Sequence, residues 1–340
     1  MTAAVSTGES TADFVVPRFR TGDGACIRNL RLHYRVYGDL AAGRRNGCIL
    51  VFHALTGSAA VHEWWAPLLG PGRALDTSRH AVIAANLPGS CYGSSGPMSD
   101  PSFPALSTAD MARAHVPLLA HLGVDRLALA IGGSLGGMVA LQWGRLASVP
   151  TERLVVLAAP AATSAQAIAW NAAQRLAIEA DPRWQHGRYA PGAGPAAGLA
   201  AARAIAMITY RSPAEFSARF GRASTRVSGR FDVEHYLRRQ GEKLVERFDA
   251  RAYVALMRAM DLHDLGDLDS AARDTAARVQ QVVGVGIDTD ILYAPGEVQS
   301  WVDAYHRRGV HAVYRRIRSV YGHDAFLVEY DQLTELLRPT

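Results

Sequence analysis

Lysine is nearly absent from this chain. Lys243 is the single lysine in 340 residues, so arginine supplies the rest of the 36 basic side chains, set against 31 acidic ones. The net charge of +5 is scattered along the sequence. It forms no clustered stripe of the kind that grips a phosphate backbone, so nucleic acid is not an expected partner. Cysteine is scarce as well. Cys26, Cys48 and Cys91 are odd in number and lack metal-ligand spacing, which argues against a disulfide framework and against a metal site. No stretch reaches the roughly 18 to 20 uninterrupted apolar residues of a membrane span. Residues 1–13 show neither the basic start nor the apolar run of a secretory signal. A cytoplasmic protein with no membrane partner is the expectation. What the chain does have is apolar residues, 49% against 20% charged, enough to bury a substantial core.

The hydrophobic pattern is that of an α/β protein with a mostly parallel sheet flanked by helices. Residues 1–25 are expected to be loosely ordered. Residues 27–37 alternate apolar and polar, as a half-buried strand does. Residues 48–52, 81–85 and 154–158 are apolar throughout, and 281–287 are apolar after Gln281, as expected of strands covered on both faces. Ser107 and Thr108, with Asp110 three residues on, predict a helix start. Between residues 161 and 270 the alternation stops, and alanine- and arginine-rich helical patterns take over. The simplest organisation is a core of residues 26–160 and 271–340, with 161–270 as a helical lid over the strand ends.

One segment organises the rest. After Arg126, residues 127–131 are apolar and lead into Gly132-x-Ser134-x-Gly136, after which Met138, Leu141 and Gln142 follow at helical spacing. Strand, sharp turn and helix in that order make a nucleophile elbow, which lifts a serine hydroxyl above the sheet. The Leu135 amide then lies at a helix N-terminus, aimed at whatever Ser134 attacks. The loop His53-Ala54-Leu55-Thr56-Gly57 follows a buried strand, at the place where such sheets supply the second oxyanion amide, here assigned to Leu55. His53, at a strand end, is expected to be a structural hydrogen bonder, and Cys91, without a partner at recognisable spacing, a packed thiol. A serine nucleophile needs a base, and the base needs an orienting carboxylate. His323, in Gly322-His323-Asp324, is the candidate base. Asp290 is the candidate carboxylate, with Asp288 competing on spacing alone. The chain order Ser, Asp, His is that of a hydrolase-type sheet.

These segments, together with Gly93-Ser94-Ser95-Gly96-Pro97 and His323-Asp324-Ala325-Phe326-Leu327, resemble the homoserine O-acetyltransferases of methionine biosynthesis, in the α/β-hydrolase superfamily. The lid carries further matches in Ala206-Met207-Ile208-Thr209-Tyr210-Arg211-Ser212 and in Arg247-Phe248-Asp249-Ala250. One departure is Ser90, which stands where the family more usually has glycine. The resemblance implies that Ser134 is acylated, that His323 is the base and that Asp290, not Asp288, completes the triad. It implies that Arg203 and Tyr210 bind the amino-acid substrate, that Asp324 receives its ammonium group and that Thr56 belongs to the same substrate site. It further implies acetyl-CoA as acyl-donor substrate, homoserine as acceptor, no permanently bound cofactor, and a homodimer paired through the lid helices. Succinyl-CoA as donor, serine as acceptor, and a serine esterase on the same fold stay open as alternatives.

Overall fold

The computed structural model describes residues 8–223 and 229–338. Apart from the short pair Leu69–Gly70 and Leu75–Asp76, its strands are β1 Glu9–Arg20, β2 Cys26–Tyr37, β3 Cys48–Phe52, β4 Val82–Ala85, β5 Leu127–Gly133, β6 Thr151–Leu157, β7 Val279–Ile287 and β8 Ala312–Ile317. They form one sheet in the order β1-β2-β4-β3-β5-β6-β7-β8. From β4 to β8 every pairing is parallel, while β2 runs antiparallel to both of its neighbours. The apolar runs form the middle of the sheet because helices cover both faces. Along β3, Cys48, Leu50 and Phe52 enter one core and Ile49 and Val51 the other, the period of two that a pleated strand imposes.

The helices α1 Leu40–Asn46, α2 Val61–Trp64, α3 Thr108–His121 and α4 Leu135–Leu146 precede the lid. The lid comprises α5 Ala165–Glu179, α6 Ala196–Tyr210, α7 Pro213–Arg219, α8 Asp232–Val245 and α9 Ala250–Asp261. The chain then closes with α10 Leu268–Ala276, α11 Pro295–Arg307 and α12 Tyr330–Leu337. Start signals read from the sequence are made in full at α3, where Ser107 and Asp110 form a reciprocal capping box.

Two expectations are corrected. Residues 9–20, expected to be loosely ordered, are the edge strand β1, paired along β2 from Glu9↔Tyr37 to Arg20↔Cys26. Phe14 packs against the core and Val16 and Phe19 are buried in it. The ladder skips Pro17 and Asn29, where Asn29 takes a φ of 53°, and an edge is where a sheet tolerates proline. Residues 1–7 lie outside the described residues. The lid also ends earlier than residue 270. Ala162 and Asp264 form a β-bridge, flanked by Thr163 N–H to His263 O and Leu265 N–H to Ala161 O, both 2.9 Å. This bridge closes the neck of the excursion, and α10 beyond it packs on α4 and α11 in the layer beside the sheet. His263 rivets the neck, with Nδ1 2.8 Å from Thr108 Oγ1 and Nε2 3.0 Å from Pro160 O. Burial holds it neutral, its pKa lowered to about 4.

Candidate active site

The strands β3, β5, β6, β7 and β8 end at one level, with Phe52 opposite Gly132, Gly133 opposite Leu157, and Ile317 opposite Ile287. The loops just beyond those ends carry Leu55, Ser134, Asp290 and His323. Ser134 joins β5 to α4 at φ 56° and ψ −124°, a strained conformation that its surroundings must enforce. They do so by close approach. A Cβ on Gly132 would lie 2.1 Å from Gly136 O, and one on Gly136 would lie 2.1 Å from Phe52 O. Gly136→Ala is therefore expected to destabilise the fold by about 4 kcal/mol or more, because backbone rather than a yielding side chain stands in the way. A urea melt within about 1 kcal/mol of the parent would contradict this.

His323 lies on a short 3₁₀ helix of two turns, Gly322–Leu327. Its Nδ1 is 2.6 Å from Asp290 Oδ2. Asp290 Oδ1 accepts from the amides of Leu292 (2.8 Å) and Tyr293 (3.0 Å), so the carboxylate is fixed at both oxygens. Burial lowers the His323 pKa, but the charge and hydrogen bond of Asp290, joined by Asp324, outweigh it and the net shift is upward. His323 Nε2 is buried and has no hydrogen-bond partner among the described residues. Phe326, one turn further along the same helix, packs on the imidazole at 5.6 Å and lies against Gly133, beside Ser134. Asp288 instead pairs with Arg316 at 3.1 Å, on the surface.

His53 donates from Nδ1 to Ala54 O (2.8 Å) and accepts at Nε2 from Leu87 N–H (2.9 Å). Burial keeps it neutral, with its pKa lowered to about 4. It thus ties the Leu55 loop to the next strand loop. Leu55 itself is 5% exposed and Leu135 fully buried; the Leu135 amide, in the first turn of α4, has no intrahelical acceptor. Cys91 accepts from Asp249 N–H at 3.3 Å, and burial pushes its thiol up to about 12. A thiol that stays protonated is no nucleophile.

The lid roofs this site. The Tyr210 ring lies 5.8 Å from His323, tilted by 37°, and the Arg203 guanidinium sits 5.3 Å above the Tyr210 ring. No carboxylate among the described residues lies within ion-pair distance of Arg203. Asp324 is paired with Arg211 at 3.3 Å. Thr56 lines a cleft of about 550 Å³ with Ala54, Tyr92, Arg203, Arg247 and Leu327. Its carbonyl and hydroxyl, though, accept from Arg247 at 2.7 and 3.3 Å. The roles of Arg211 and Arg247 were not evident from sequence. The Arg211–Glu215 spacing of four residues, at a helix opened by Ser212-Pro213, was the available signal for the first; the partners of Arg247 lie far away in the chain.

A model of the α/β hydrolase fold matches residues 47–259. The homoserine O-acetyltransferase of Moorella thermoacetica is 44% identical over 346 residues, covering 93% of this chain and 91% of that protein. The chain belongs to the homoserine O-acetyltransferase family. Among solved structures, homoserine O-acetyltransferase from Bacillus anthracis superposes with a TM-score of 0.86 at 23% identity, covering 98% of each chain. Esterase E22 superposes with 0.87 at 22% identity, covering 97% of this chain and 99% of that one. At those identities the likeness speaks for the fold alone. Membership of an acetyltransferase family marks the chain as an enzyme acting on small molecules. Among the described residues, no helix is long and apolar enough to cross a membrane, and no cluster of metal-ligating side chains occurs.

Proposed function

We propose that this protein transfers the acetyl group of acetyl-CoA to the hydroxyl of L-homoserine, a step of methionine biosynthesis, through an acyl-Ser134 intermediate. The observation that carries this reading is the charge arrangement beside the triad. Arg203 on the lid and Asp324 next to His323 offer one cation and one anion, the pair an amino-acid acceptor requires. His323 takes the Ser134 proton at Nε2, and Ser134 attacks the thioester carbonyl. The amides of Leu55 and Leu135 receive the oxyanion, a contribution worth about 100- to 1000-fold in rate per donor. CoA leaves as the thiol. His323 then deprotonates the acceptor hydroxyl, which attacks the acyl-serine and regenerates the enzyme. Arg203 and Tyr210 bind the acceptor carboxylate, Asp324 its ammonium group, and Thr56 lines the approach. The lid keeps water from the acyl-serine, so that transfer outruns hydrolysis.

Acetyl-CoA enters this scheme as a substrate, and no resident cofactor is needed. We place the protein in the cytoplasm and its copies in a dimer through the lid, where Leu176 and Leu262 are 64% and 60% exposed and supply apolar surface to cover. Thiol release from acetyl-CoA and succinyl-CoA, each with homoserine, serine or no acceptor, tests the reading. Release that requires homoserine and acetyl-CoA is the expected result. Release indifferent to acceptor would mean an esterase-like hydrolase and would remove the roles of Arg203, Tyr210 and Asp324.

A further inference from the structure

An aspartate that receives an ammonium group has to be ionised and aimed before the ligand arrives, and Asp324 sits where ionisation is opposed. Burial raises its pKa; Arg211 is the strongest influence pulling the other way, followed by Arg203 and His323, while Asp290 adds to the rise. Of the two arginines, only Arg211 touches the carboxylate, with Nη2 3.3 Å from Oδ2. Arg211 caps the C-terminus of α6, directly after Tyr210, and its side chain is 18% exposed. Its Nη1 lies 3.3 Å from Glu215 Oε1 in the first turn of α7, so the guanidinium is held from behind. The same turn is anchored to the His323 loop, because Ser212 both caps α7 and donates to Val320 O. Arg211 engages Oδ2 of Asp324, which leaves Oδ1 for a ligand.

We propose that Arg211 is a positioning residue that holds Asp324 charged and oriented, and thereby sets the preference for hydroxyl acceptors bearing an ammonium group. This role rests on the acceptor reading above. The two terminal nitrogens of Arg211 already face carboxylates, Glu215 and Asp324, and only its buried Nε is without a partner, whereas no carboxylate among the described residues is within ion-pair distance of Arg203, so the acceptor carboxylate is assigned to Arg203. A neutral side chain at position 211 would leave Asp324 buried without its cation, and a protonated or reoriented carboxyl would grip an ammonium poorly.

The test measures acetyl-CoA thiol release with three acceptors: homoserine, 4-hydroxybutyrate, which lacks the ammonium, and 3-aminopropan-1-ol, which lacks the carboxylate. In Arg211→Met the ratio of kcat/KM for homoserine to that for 4-hydroxybutyrate is expected to fall about 10- to 100-fold, the range for leaving a buried polar or charged group without its partner. Arg211→Lys keeps the charge and is expected to restore the ratio to within about fivefold of the parent. Each ratio is taken on one preparation, so any unfolded fraction cancels. An unchanged ratio in Arg211→Met overturns the proposal. A fall confined to the ratio of homoserine to 3-aminopropan-1-ol would put Arg211 on the acceptor carboxylate and overturns it too. If the parent itself does not distinguish homoserine from 4-hydroxybutyrate, the acceptor reading fails along with this role, and the parent alone reveals it.

Discussion

Ser134→Ala is expected to lower homoserine-dependent thiol release from acetyl-CoA by about 10⁴- to 10⁶-fold, the loss that follows removal of a triad nucleophile. The same variant is expected to keep its unfolding free energy within about 1 kcal/mol of the parent. Both halves follow from how the elbow is built. The strained backbone at residue 134 is enforced by the mutual approach of Gly132, Gly136 and Phe52, none of which involves the serine hydroxyl. Nor does that hydroxyl cap α4. Alanine inherits the same φ of 56° and the same neighbours, so the strain is unchanged and only the attacking oxygen is lost. Thiol release and a urea melt on one preparation check it. A folded variant with near-full turnover would remove Ser134 from the mechanism; a variant that unfolds would mean that the hydroxyl has a structural role the geometry does not display.

The parts of this molecule legible in the sequence are those fixed by local chemistry. Residues 48–52 read as a strand buried on both sides because all five are apolar, and all five are buried. Glycines two positions either side of Ser134 read as an elbow because no other residue fits such a turn. His323 reads as a candidate base because it sits in a glycine turn after the last strand-like stretch, whereas Asp290 competes with Asp288 on spacing and only the family resemblance puts it first. Where identity depended on tertiary approach, the sequence was mute. The strand β1 was missed because its outer face is polar and Pro17 interrupts it, features of an edge that also describe a loop. The lid boundary was misplaced because α10 is amphipathic like the lid helices, and only its packing on α4 and α11 tells it apart. Arg211 and Arg247 were not assigned roles because, in a chain whose basic residues are all arginine but one, no single arginine stands out. Arg247 meets Thr56 and Tyr92 only when the lid folds back over the sheet.

Asp290→Asn is expected to cost about 10⁴-fold in turnover, the scale known for this exchange in a serine triad, with little change in shape. Asparagine can still accept the Leu292 and Tyr293 amides through its carbonyl oxygen. That choice turns its NH₂ toward His323 Nδ1, which must then accept rather than donate. The imidazole proton moves to Nε2, and Nε2 can no longer take the proton of Ser134. The pH dependence separates this account from simple loss of packing. In the parent the His323 pKa lies above its ordinary value of 6.5, since Asp290 together with Asp324 outweighs burial, so the acid limb of kcat/KM is expected above pH 6.5. The stabilisation from the Asp290–His323 pair is fully present below the unfolded imidazole value. It is lost as pH rises through the raised folded value. In Asp290→Asn burial, already the largest single influence, is opposed only by Asp324, so the folded pKa is expected to drop below 6.5. The sign then reverses: the variant loses stability as pH falls below the unfolded value, because the unfolded chain binds the proton that the folded chain resists. Unfolding free energies of both proteins at about pH 5.5 and about pH 8 read this directly. Parallel pH profiles would mean that the short His323–Asp290 contact does not govern the ionisation of the base.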